Sequence, residues 1–114
     1  MAIFVSTGNP TGLLHQIKSA IDSGAIETWV YDKDGDFTHS PTQWKNQAWL
    51  RASLSPGLLR FGIIGQEGKS ISKEVYAVYH GRFVEMLLAH FDDAFSRAEA
   101  TAKLLPPDEY KPNA

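Results

Sequence analysis

His80, Arg82, Glu85 and His90 fall within eleven residues of one another, and His39 stands apart from them; these are side chains that exchange protons or hold an anion near neutral pH. A histidine beside a carboxylate makes an acid–base pair once the fold brings the two together, so His39, His80 and Glu85 are the catalytic candidates. Spacing adds no metal chemistry to them. Two ligands on one helix face stand three or four residues apart, whereas His80 and Glu85, like Glu85 and His90, are five apart. His-Glu-x-x-His, Gly-x-Ser-x-Gly and Walker sequences are all lacking. Polar groups beside a helix's apolar face ordinarily bond to loops or solvent, and that is the competing reading of all four.

From Phe37 to Gln66 the chain holds no Asp or Glu, yet it carries Lys45, Arg51 and Arg60 together with His39, Trp44 and Trp49. Tryptophan stacks on planar ligands and arginine holds anions, so Trp44, Trp49, Arg51 and Arg82 are the ligand-binding candidates. Single-stranded nucleic acid would use the same chemistry. Three basic residues over so long a segment are a thin electrostatic footprint, and nucleic acid is not the expected partner.

Asp32-Lys33-Asp34-Gly35-Asp36 gathers three carboxylates. A calcium loop of the EF-hand kind places Gly sixth and Glu twelfth, but counting from Asp32 those positions hold Phe37 and Gln43. A solvated hairpin turn accounts for the segment, and no metal or other cofactor is expected. Ser6-Thr7-Gly8-Asn9-Pro10-Thr11 resembles the flavodoxin phosphate loop over six residues, although Pro10 removes a backbone donor. A helix cap explains those residues equally.

The elements follow from turn signals and periodicity. Ile3 to Val5 reads as a strand, and Asn9 and Pro10 open a helix whose apolar stripe is Leu13, Leu14, Ile17 and Ile21, closed by Gly24. Ile26 to Asp32 reads as a strand with Trp29 and Tyr31 on one face and Val30 on the other; Asp34-Gly35 turns it into Phe37 to His39. Trp49 to Leu54 and Leu58 to Ile64 complete a meander across Ser55-Pro56-Gly57. Ser72 caps a long helix running without proline to about Leu105, with Val75, Val78, Tyr79, Phe83, Met86, Leu87, Phe91, Ala94 and Phe95 as its apolar side. Ala77, Gly81 and Ala89 form a second, small-residue side, interrupted by Glu85, where helix one or another copy of the chain would approach.

The expected fold is α+β in the order β-α-β-β-β-β-α, a mainly antiparallel sheet with two helices on one face; a sheet curved around the long helix is the alternative. Residues 1–105 form one domain and 106–114 a polar tail. With 114 residues, 43% hydrophobic, the chain can bury a core without disulfide or metal. The net charge of −2 selects neither nucleic acid nor anionic membrane, and no apolar run reaches the ~20 residues that span a bilayer. Zero cysteine and no signal-like start suit the cytoplasm.

The run Trp29-Val30-Tyr31-Asp32-Lys33-Asp34-Gly35-Asp36-Phe37-Thr38-His39, with Gln43-Trp44, Ala48-Trp49-Leu50-Arg51 and Tyr79-His80-Gly81-Arg82-Phe83, resembles short bacterial proteins, some of them carried on mobile gene cassettes. That resemblance implies no activity and carries over no site. A sheet with apolar or aromatic residues on both faces needs a cover on each. The expectation is a non-enzymatic interaction protein, a homodimer joined through the aromatic sheet face or the small-residue stripe. The alternatives are a small-molecule site or enzyme between sheet and long helix, and a single-strand binder.

Overall fold

A computed structural model describes residues 2–102. Strand β1 (Ala2–Ser6) leads into helix α1 (Pro10–Asp22). Asn9 caps α1, its side-chain oxygen accepting the Gly12 N–H at 3.0 Å, and Pro10 occupies the first turn, where its missing donor costs no bond. Strands β2 (Trp29–Tyr31) and β3 (Phe37–His39) form a hairpin closed by Gly35 at φ +82°, a value glycine adopts without strain. Strands β4 (Ala48–Ser55) and β5 (Leu58–Gly65) form the longest hairpin. Helix α2 (Lys73–Phe91) begins at Ser72, whose hydroxyl accepts the Val75 N–H at 3.1 Å. Strand β6 (Arg97–Ala100) follows it.

The strands make one antiparallel sheet in the order β2-β3-β4-β5-β1-β6. The order of elements is the expected one with β6 added at its end. Register explains the layering. Ile3 pairs with Phe61 and Val5 with Leu59, while Leu50 pairs with Ile63 and with Phe37, so one face carries an unbroken apolar set. Leu13 and Ile17 of α1 and Tyr79, Phe83, Met86 and Leu87 of α2 join that set in one buried cluster, which puts both helices on the same side. At about 25 cal/mol per Å² of apolar area removed from water, this cluster is the main driving force of the fold.

Three expectations are corrected. The long helix stops at Phe91, well short of Leu105. Asp92 and Asp93 place negative charge at the helix's negative end, and the chain turns there, the Ala94 N–H reaching the Phe91 carbonyl at 2.8 Å. Ala94 and Phe95 therefore pack on the core from a turn, and Arg97–Ala100 pairs with β1. Second, Trp29 lies inside the helix-covered core at 1% exposure and Tyr31 packs against that core, so neither offers a free aromatic face. Third, helix one does not fill the small-residue stripe: Ala77, Gly81 and Ala89 are exposed, with no atom within 4 Å of where a Gly81 side chain would begin. The expected tail, 106–114, lies outside the described residues. Among the described residues no helix is long and apolar enough to cross a membrane.

Candidate functional site

His39 ends β3, cross-strand from Trp29, its ring 4.6 Å from the indole. It is 2% exposed. Its Nδ1 lies 2.8 Å from the Thr28 carbonyl, an acceptor only, so Nδ1 carries the proton; Nε2 is buried and has no partner among the described residues. Burial holds this imidazole below its usual range, with the Arg82 charge adding to the effect and the Thr28 carbonyl and Glu85 opposing it. The arrangement favours a neutral ring at physiological pH.

Beside it, Tyr79 of α2 closes a chain of hydrogen bonds. Its hydroxyl donates to the Trp44 carbonyl and sits 2.9 Å from Thr38 Oγ1, which itself accepts the Asn46 N–H at 3.0 Å. Because the one Tyr79 hydroxyl proton goes to the Trp44 carbonyl, Thr38 donates to Tyr79. Burial pushes the phenol's pKa up, so it stays protonated and pins the 41–47 loop to the helix. This links α2 to β3 more firmly than packing alone.

The remaining predicted residues separate. His80 is buried, its Nδ1 2.6 Å from the Tyr76 carbonyl one turn back on α2. Arg82 and Glu85 are exposed on α2 and act on His39 through their charges. Trp44 packs against the core from its loop. Arg51 grips Asp36 with two bonds, Nε to Oδ1 at 3.0 Å and Nη2 to Oδ2 at 2.8 Å. Asp32 Oδ1 accepts the N–H groups of Asp34 and Asp36, which ties the acidic turn internally. The strand-to-helix loop borders a shallow depression of about 500 Å³ lined by Ser6, Thr7 and Gly8, the start of the segment that resembles the flavodoxin phosphate loop, together with Gly57 and Asp93 to Ser96. Thr7 there bonds the Ala94 carbonyl at 2.7 Å, joining β1 to the turn after α2.

The face of the sheet away from the helices carries a further group of side chains. Alternation places Phe4, Trp49, Arg51, Leu58, Arg60, Ile64, Arg97 and Glu99 on it, opposite in parity to Ile3, Val5, Leu50, Leu59, Phe61 and Ile63. Trp49 pairs with Ile64, and a second row runs Ser53, Arg60, Phe4, Glu99 across four strands. Phe4, Trp49, Leu58 and Ile64 are partly exposed and stand outside the core cluster. Trp49, Arg51 and Arg60 stand out in the sequence by residue type, whereas Phe4, Leu58 and Ile64 enter it only as strand residues. The legible signal was period two: with Ile3 and Val5 in the core, Phe4 must face the other way.

No protein family, curated protein or solved structure matches this chain.

Proposed function

We propose that the chain is a non-enzymatic interaction protein that acts as a homodimer, joined through the helix-free face of its sheet. One observation carries this reading: both helices lie on one face, leaving Phe4, Trp49, Leu58 and Ile64 on the other, partly exposed and outside the core. Apolar side chains gathered on one face of an antiparallel sheet are stabilised by a second apolar surface, and a face-to-face pair of identical sheets supplies one. The separation of Trp44, Trp49, Arg51, Arg82, His39 and His80 into different surroundings favours a surface function over a single catalytic pocket. The absence of cysteine suits a reducing compartment such as the cytoplasm.

The test is sedimentation of Phe4→Glu and Leu58→Glu variants beside the wild type. Each charge placed on this face is expected to weaken association at least tenfold while the far-ultraviolet spectrum stays unchanged. Association that survives both substitutions with the fold intact would refute this choice of surface.

A further inference from the structure

The order of charges along one row of the sheet gives the pairing geometry of the two copies. Resting on the homodimer reading above, we propose that two chains pack face to face about a two-fold axis running along β1, with Arg60 of each copy paired to Glu99 of the other. Arg60 and Glu99 are the cross-strand neighbours of Phe4 on its two sides, Arg60 in β5 and Glu99 in β6. All three project from the same face. Within one chain β1 stands between the two charges, which are two strand spacings or about 9.6 Å apart at the backbone, and they make no ion pair.

A two-fold axis lying between the faces and parallel to β1 exchanges left with right while keeping each row at its own height. Phe4 then meets Phe4, and β5 of one copy lies over β6 of the other. Arg60 thus comes over Glu99 twice, once on each side of the axis, so the row is complementary to itself. Glu99 is exposed, and its carboxylate has no hydrogen-bond or ion-pair partner among the described residues, so it is free to meet a charge from another copy. In the next row the same operation sets Leu58 against the aliphatic stem of Arg97, the two flanking Ser6 as Arg60 and Glu99 flank Phe4.

Charge exchange tests the pairing. Arg60→Glu and Glu99→Arg, made singly, bring like charges together and are expected to raise the dimer dissociation constant at least tenfold. The double variant restores the pair with its sense reversed, and should return to within about threefold of wild type. A dimeric wild type whose double variant is as weak as the two single effects combined overturns this geometry and leaves the homodimer reading standing. A wild type that is monomeric at every concentration overturns both. Should Arg60→Glu not fold, a Phe4→Cys variant treated with a short bismaleimide decides. The chain has no other cysteine, so cross-linking into dimers supports the axis on β1, and its failure in a dimeric sample refutes it.

Discussion

At the scale of single residues, two buried polar groups decide how the interior responds to change. His39 Nε2 is buried with no acceptor for a second proton among the described residues, so the folded chain resists protonation that the unfolded chain accepts freely. With its folded pKa below the unfolded value, His39 contributes stability that is fully present above about pH 6.5 and is lost as pH falls from there toward the folded pKa. Denaturant unfolding of wild type between pH 7.5 and 5 should show this loss, and a His39→Gln variant should show a shallower one. Tyr79 is the second group. Tyr79→Phe removes the donor to the Trp44 carbonyl and the acceptor for Thr38, which predicts a loss of about 1–3 kcal/mol by chemical denaturation. The sequence singled out His39 as a histidine able to act near neutral pH. It said nothing of Tyr79's hydroxyl, because its partners lie 35 and 41 residues away and the 41–47 loop that supplies one of them has no periodic pattern.

At the scale of elements, local signals served wherever a cap or turn residue had one role. Asn9, Ser72 and Gly35 mark the starts of both helices and the β2–β3 turn, and each makes the expected bond or takes the expected conformation. Strand β6 carries no strand signal in the sequence because Arg-Ala-Glu-Ala favours helix by composition; it is extended because β1 offers a free edge of donors and acceptors. Two glycines separate constraint from freedom. At Gly65 an added methyl would stand 2.9 Å from Ile71, itself 3% exposed, so Gly65→Ala should cost about 1–3 kcal/mol by overpacking the end of β5. Gly81 is mid-helix with open space beside it, so Gly81→Ala should raise stability by about 0.5–1 kcal/mol and leave the oligomeric mass unchanged if the sheet face is the interface. A Gly81→Ala variant that loses its dimer would transfer the interface to the α2 stripe.

For the whole molecule, the sequence showed that both faces of the sheet carry large apolar groups but misassigned which aromatics lie on which. Trp29 and Tyr31 alternate with Val30 as read, yet the side the helices take depends on contacts between distant elements: Trp29 meets Tyr79 at 5.6 Å and Phe83 at 4.9 Å, both edge-on. Once that side is fixed, register sends Phe4, Trp49, Leu58 and Ile64 to the other, and the proposed association surface follows from the pairing of strands. The candidate site is therefore legible residue by residue only where a named residue, Trp49, Arg51 or Arg60, has outward parity. The proposed homodimer is checked by light scattering across a wide range of protein concentrations: the mass is expected to rise to twice the 12.6 kDa of one chain and hold there, and a mass of one chain at every concentration would refute the dimer.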